Sequence, residues 1–80
     1  MTEDRALKYK LIGLNIAYYR KIKNMTQIQL AESIKISRTH MSNIEAPNMP
    51  TSISLETLLD IADVLEIPVT KLLTFDKDVT

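Results

Sequence analysis

The sequence predicts an all-α fold of five short helices, and three observations support this prediction. No segment alternates apolar and polar residues as a half-buried strand does. All three prolines follow position 46 and the chain has one glycine, so the first 45 residues contain few helix breakers. Capping residues recur before segments of helical periodicity. The predicted helices span about residues 5–23, 27–34, 38–45, 55–66 and 69–74.

Four of these helices are preceded by similar starting signals. Thr26 can cap the second helix while Gln29 reaches back to it, as in a capping box. Ser37 and Ser54 occupy the capping position before the third and fourth helices, and Pro68 lies near the start of the fifth. At each start, an apolar residue can pack on one in the following turn, and these pairs are Met25–Leu30, Ile36–Met41, Ile53–Leu58 and Ile67–Leu72.

Eighty residues make one small domain, whose stability must come from an apolar core. The chain has no cysteine, which excludes disulfides and Cys-based zinc sites, and 45% of its residues are hydrophobic. No apolar run approaches the roughly 18–20 residues of a membrane span and no signal-peptide pattern opens the chain, so we expect a cytoplasmic protein. The expected core consists of Ile12, Ile16, Tyr19, Leu30, Ala31, Ile34, Ile36, Met41, Ile44, Leu58, Ile61, Ala62, Leu65, Ile67, Val69 and Leu72.

The charges are distributed unevenly, although the net charge is zero. Residues 1–40 contain eight Lys/Arg and three Asp/Glu, a balance of +5, whereas residues 41–80 contain two and seven, a balance of −5. Such an asymmetry can give a neutral protein one basic face, which is the face that a polyanion meets. An ordinary solvated surface is the alternative interpretation.

The helix at 27–34, the turn at 35–37 and the helix at 38–45 have the spacing of a helix-turn-helix. The string TQIQLAESIKISRTHMSNIE, followed by SLETLLDIADVLEIPVTKLL, resembles the Cro/CI (Xre) family of bacterial and phage repressors. The resemblance covers about residues 12–73 and rests on several linked positions, which are Gln27, Leu30, Ala31, Ser37, Ile44, Glu45, Leu55, Glu56, Thr57 and Leu58.

This resemblance implies a lambda-repressor-like DNA-binding domain of five helices over residues 1–80, with the helix-turn-helix at about 27–45 and a short tail at 75–80. It implies that the third helix enters the major groove of double-stranded DNA. It also implies an ion pair between Arg20 and Glu45 that fixes the third helix to the first. The alternative is an exposed pair of little energetic value.

Four polar residues of the third helix face away from its apolar side. On a helical wheel, Met41 and Ile44 define the buried side, and the outward residues are Arg38, Thr39, Ser42 and Asn43. Arginine can bind guanine and asparagine can bind adenine through two hydrogen bonds, while hydroxyl groups suit several base edges. The resemblance implies base contacts from the first, second and sixth helical positions. We therefore expect these four residues to read bases, and a solvated helix face is the alternative.

The expected phosphate contacts come from helix starts and the adjoining turns. Gln27 and Ser37 begin the second and third helices. Lys35 lies in the turn where the family often has glycine, and a left-handed residue there would cost about 1 kcal/mol. Asn48 lies in the loop 46–54, which has no Lys or Arg, so we expect a shallow salt dependence of DNA binding. His40, the single histidine, lacks partners for a metal site, so we expect phosphate contact or packing.

The first helix carries a second apolar stripe that the core does not need, formed by Leu7, Leu11, Leu14, Tyr18 and Ile22. We expect this stripe to meet a partner, most simply a second copy of the chain. Burial under the chain's own tail at 73–79 is the alternative. A dimer would let two helices read half-sites about one DNA turn apart.

These features favour a sequence-specific regulator that binds double-stranded DNA, acting as a homodimeric repressor in a bacterial or phage context. The second function class is an antitoxin or regulatory module that binds a partner protein, with DNA binding secondary. An enzyme is not expected, because the sequence lacks a nucleophile with paired carboxylates, a glycine-rich phosphate loop and a metal-ligand set. We accordingly expect no catalytic residue, metal or cofactor.

Overall fold

The computed structural model describes residues 1–75, which form five α-helices. They are α1 (Glu3–Ile22), α2 (Gln27–Ile34), α3 (Arg38–Glu45), α4 (Leu55–Leu65) and α5 (Thr70–Leu73). No strand occurs among the described residues, and the predicted all-α class and helix order are confirmed. No helix in this part of the chain has the length and apolar character that a bilayer span requires. The predicted tail at 75–80 lies outside the described residues except for Phe75.

The starts of α2, α3 and α4 are fixed by side-chain caps at the predicted residues. The Thr26 hydroxyl accepts the Gln29 backbone N–H (3.0 Å), and the Gln29 side chain accepts the Thr26 N–H (2.9 Å), which completes the capping box. The Ser37 hydroxyl accepts the His40 N–H (3.0 Å), and Ser54 caps α4 in the same way. These bonds satisfy backbone donors that have no partner inside the helix.

The observed bounds of α2 and α3 match the prediction, and those of the other three helices differ from it by one or two residues. α1 begins at residue 3 rather than 5 because the Thr2 hydroxyl accepts the Arg5 N–H (3.1 Å) and so caps the helix earlier. α4 ends at residue 65 rather than 66 because Glu66 turns the chain into the left-handed conformation. α1 and α5 are each shorter than predicted at their carboxyl ends.

Three residues outside the helices adopt the left-handed conformation although none is glycine. They are Asn24 (φ 56°), Lys35 (φ 59°) and Glu66 (φ 58°). At Lys35 and Glu66 this conformation lets the backbone N–H donate a hydrogen bond to carbonyl groups of the last helical turn. The turn between α2 and α3 therefore has the glycine-type geometry expected there, and it costs about 1–2 kcal/mol because of the Cβ atom.

One aliphatic core joins all five helices. Every buried apolar residue among the described residues belongs to the predicted core, and the rest of that predicted set, Tyr19, Ile34, Ile36, Ile67 and Val69, is half-buried at its margin. Each helix contributes at least one fully buried side chain, and these are Ile16 of α1, Leu30 of α2, Met41 of α3, Ile61 of α4 and Leu72 of α5. Because short helices bury little surface alone, this shared core holds α3 in place.

Gly13, the single glycine of the chain, lies where the α1 backbone packs against the end of α3. A Cβ atom at this position would overlap the backbone carbonyl of Ile44 and lie close to Glu45. The obstruction is main chain, so it cannot be relieved by rotating a side chain. Gly13 therefore sets the distance between the two helices, although glycine inside a helix costs about 1 kcal/mol relative to alanine.

A buried ion pair joins the same two helices. The Arg20 guanidinium donates two hydrogen bonds to the Glu45 carboxylate, at 2.8 and 2.9 Å, and a third to the Met25 carbonyl oxygen at 2.7 Å. Arg20 and Glu45 are only 7% and 8% exposed. The pair implied by the family resemblance is thus present, in its buried form.

We predict that Gly13→Ala destabilises the fold. The added methyl group must push α3 away from α1, and such overpacking costs about 1–3 kcal/mol, more than the roughly 1 kcal/mol gained in helix propensity. Urea unfolding followed by circular dichroism measures the change. Lys10→Ala, at an exposed position of the same helix, is the control with no expected loss. A Gly13→Ala protein more stable than the parent would contradict this account.

We predict that Glu45→Gln destabilises the fold by about 3–5 kcal/mol, because the buried Arg20 charge loses its counter-charge. The matched control is Glu66→Gln, which removes one partner of the exposed pair between Lys23 and Glu66 (3.0 Å). Its effect should stay below about 1 kcal/mol, since water screens exposed pairs. The same urea measurement compares them, and equal losses in the two variants would argue against the buried pair as a special constraint.

Candidate nucleic-acid interface

The outward face of α3 is the candidate site, and its orientation follows from three buried residues. Met41, Ile44 and Glu45 are buried against the rest of the fold. The opposite side of the helix presents the residues predicted to read bases, of which Arg38, Thr39 and Ser42 are exposed and Asn43 is half-buried. The structure thus brings all four onto one face of one short helix.

These side chains offer hydrogen-bond groups of several kinds on a surface about two helical turns long. The Arg38 guanidinium presents a donor fork and the Asn43 amide presents both a donor and an acceptor. Thr39 and Ser42 add hydroxyl groups that donate or accept. A major groove admits an α-helix, and its base edges carry complementary patterns of donors and acceptors. The chemistry of the face therefore suits base edges.

The turn that leads into α3 contains one exposed cation, Lys35. It borders a surface depression that is also lined by Asp60 and Asp63 of α4. These carboxylates lower the positive potential around the ammonium group. Within the helix-turn-helix, Lys35 and Arg38 are the only basic residues besides the histidine, so the candidate interface is only weakly basic.

The residues at the two helix starts already have structural partners. Ser37 accepts the N–H of His40, and His40 itself is half-buried at the edge of α3. The Gln27 side-chain amide donates to Glu45 Oε1 at 2.9 Å. This bond was not predicted from the sequence. It makes Gln27 the third member of the Arg20–Glu45 cluster and ties the start of α2 to the end of α3.

Hydrogen bonds from the Arg20 guanidinium to the Glu45 carboxylate raise the pKa of Arg20. Burial lowers this pKa, and the negative charge of Glu45 raises it further. A raised pKa means that folding stabilises the protonated form, so this contribution is complete at neutral pH. It declines only as the pH rises through the folded-state pKa in strongly alkaline solution. Titration of Arg20 therefore does not affect the geometry of α3 at physiological pH.

The loop at 46–54 is tied back to α3 by Thr51. Its hydroxyl donates to the Asn43 carbonyl oxygen (3.2 Å) and lies 3.0 Å from the Met49 carbonyl oxygen. Asn48, the residue predicted to contact phosphate from this loop, is exposed. The role of Thr51 was missed as well, and no spacing or composition signal in the sequence points to it.

The predicted partner stripe of α1 is open to solvent over most of its length. Leu7, Leu14, Tyr18 and Ile22 are exposed, and Leu11 is half-buried. The alternative cover, the tail at 73–79, lies mostly outside the described residues. A contiguous line of exposed large apolar side chains is typical of an interaction surface.

Comparison with known proteins identifies the family of this chain. The helix-turn-helix family model matches residues 16–72. Control protein C.SmaI of Serratia marcescens is 35% identical over 65 residues, which are 81% of this chain and 75% of that protein. The HTH-type transcriptional regulator SinR of Bacillus licheniformis is 36% identical over 70 residues, which are 88% of this chain and 61% of that protein.

Solved structures show the same fold. The crystal structure of SinR, the master regulator for biofilm formation, in complex with DNA has a TM-score of 0.72 and 35% identity, covering 79% of this chain and 98% of that one. A hypothetical transcription factor, NHTF from Neisseria, has a TM-score of 0.78 at 22% identity, covering 90% and 79%. The family match and the relatives together show that the chain belongs to the Cro/CI-type (Xre) helix-turn-helix family of DNA-binding transcriptional regulators.

Proposed function

We propose that the chain is a sequence-specific repressor of transcription that inserts α3 into the major groove of double-stranded DNA. The observation that carries this proposal is the outward polar face of α3 on a helix whose other end is fixed by the buried Arg20–Glu45 pair. The crystal structure of the relative SinR in complex with DNA supports DNA binding by this fold. The chain acts by binding rather than by catalysis, in the cytoplasm of a bacterium or a phage host.

In the proposed complex, Arg38 reads guanine through its donor fork and Asn43 reads adenine through its amide. Thr39 and Ser42 add single hydrogen bonds, and the Thr39 methyl group suits contact with a thymine methyl group. Because α3 has only two turns, it reads few base pairs. Each good bidentate contact contributes about 1–3 kcal/mol of discrimination, so two such contacts dominate the specificity.

Phosphate contacts orient α3 in the groove without reading sequence. We assign them to Lys35 and to the region of the two helix starts, where Gln27, Ser37 and His40 lie, with Asn48 of the following loop as a further donor. Backbone N–H groups at helix starts favour anions even when the nearby side chains have partners. A dimer would double both kinds of contact and match the symmetry of a palindromic site.

A second candidate function is a protein-interaction module of the antitoxin or regulatory type. The open apolar stripe of α1 favours it, as does the acidic surface of α4, where exposed Leu55 and Leu59 lie among Glu56, Asp60 and Asp63. Selective capture of one co-encoded protein, combined with DNA binding that shows no sequence preference, would favour this second function over the first.

We predict that the protein enriches one sequence from a random pool of duplex DNA, and that Arg38→Ala and Asn43→Ala each relax one position of that sequence. Each variant should weaken binding to the selected site by about 1–3 kcal/mol, the value of one bidentate base contact. Arg5→Ala removes an exposed arginine of α1 and serves as the control with an unchanged selected sequence. A parent protein that enriches no sequence at low salt would refute the proposed function.

We predict a shallow salt dependence of binding to the selected site. A plot of log Kobs against log[salt] should have a slope smaller in magnitude than about 5, the value that six neutralised phosphates would give. Lys35→Gln should reduce this magnitude by about 1 on every sequence, as expected for a phosphate contact. Lys23→Gln, at a cation already paired with Glu66, should leave the slope unchanged. A slope that indicates six or more phosphate charges would contradict the prediction.

A further inference from the structure

α1 carries four apolar residues at coiled-coil spacing on the face opposite its core residues. Leu7, Leu11, Leu14 and Tyr18 follow one another at intervals of four, three and four residues. Leu7, Leu14 and Tyr18 are 52%, 44% and 61% exposed, and Leu11 is half-buried. We call these four residues the α1 seam. Its spacing fits the side of another helix, because a and d positions of one helix insert between residues of the facing one.

The α1 seam is bounded by opposite charges at its two ends. Continuing the same spacing, Asp4 precedes Leu7 by three residues and Lys21 follows Tyr18 by three residues. Both are exposed. The Asp4 carboxylate lies 3.3 Å from the Lys8 ammonium group in an exposed pair one turn away. Such pairs are worth little, so Asp4 remains available to a second cation.

We propose that two copies of this chain pair through the α1 seam in antiparallel orientation about a twofold axis. In this register Leu11 lies against Leu14 of the partner subunit, and Leu7 lies against Tyr18 of the partner subunit. Asp4 lies beside Lys21 of the partner subunit. The twofold axis repeats every contact, so an apolar centre is closed at both ends by an ion pair.

The end charges select the antiparallel orientation. A parallel pair would align Asp4 with Asp4 of the partner subunit, and Lys21 with Lys21 of the partner subunit, and like charges in contact oppose association. In the antiparallel register the flanking lysines also avoid each other. Lys8 lies opposite Asn15 of the partner subunit, and Lys10 lies opposite Ala17 of the partner subunit. The surface is therefore complementary to itself in one orientation.

The helix that pairs is already folded in the single chain. Its other face is anchored by the core, by the close approach at Gly13 and by Arg20. In short isolated coiled coils, the conformational entropy lost on forming the helix weakens association. Here the helix is formed before pairing, so this loss does not weaken the dimer. The inference deepens the proposed function by naming the surface that supplies its dimer, and in that respect it rests on that function.

The test is sedimentation of the whole 80-residue chain without DNA across a range of micromolar concentrations. The parent should reach twice its chain mass of 9.1 kDa. Leu14→Glu should sediment as a monomer. Asp4→Lys and Lys21→Glu should each raise the dimer dissociation constant about tenfold, since each places like charges at both ends. The double variant with both changes should return to the parental value.

Leu59→Glu is the matched control, because it introduces the same charge at an exposed leucine of α4 and should leave the dimer intact. Circular dichroism must show a helical fold in every variant. A monomeric parent, or a dimer lost in Leu59→Glu and kept in Leu14→Glu, would overturn the proposal. Failure of the double variant to recover would overturn the antiparallel register. Since no DNA is present, these outcomes are separate from the selection experiment that tests DNA reading.

Discussion

The bidentate ion pair between Arg20 and Glu45 is the interaction on which the geometry of this protein depends. It joins α1 to the end of α3, the Met25 carbonyl oxygen takes a third hydrogen bond from the guanidinium, and Gln27 brings the start of α2 to the same carboxylate. Three helices and one turn therefore meet at one charged group. Such a cluster is a weak source of net stability, because desolvation offsets much of the attraction, and we expect its main effect to be on the arrangement of its members.

The close approach at Gly13 reinforces this constraint from the same side. The glycine lets the α1 backbone lie against the Ile44 carbonyl, one residue before the carboxylate that Arg20 binds. Position and orientation of the last turn of α3 are thus fixed by main-chain contact and by paired hydrogen bonds. Because an eight-residue helix is too short to bend appreciably, fixing one end fixes the direction in which Arg38 and Thr39 project.

The sequence predicted the features that depend on local chemistry. Hydrophobic spacing identified the core, and the caps at Thr26, Ser37 and Ser54 identified three helix starts, because both signals act within a few residues. It did not predict the bond from Gln27 to Glu45 or the tie from Thr51 to α3, since these depend on distances between separate elements. The sequence also did not predict the role of Gly13, because only the structure shows which backbone it faces. The base-reading role of α3 stays a prediction.

The distribution of charges leads us to expect that fixed geometry matters more here than in a strongly basic DNA-binding protein. Arg20 is buried in its ion pair with Glu45, and Lys8 and Lys23 lie in exposed ion pairs. Lys35 lines the same surface depression as Asp60 and Asp63. Lys35 and Arg38 are the only Lys/Arg residues of the helix-turn-helix, so we expect weak sequence-independent binding. Weak background binding makes each base contact a larger share of the total affinity. Such contacts require hydrogen-bond groups held at defined positions. The Arg20–Glu45 pair and the close approach at Gly13 fix the position of α3 before DNA binds.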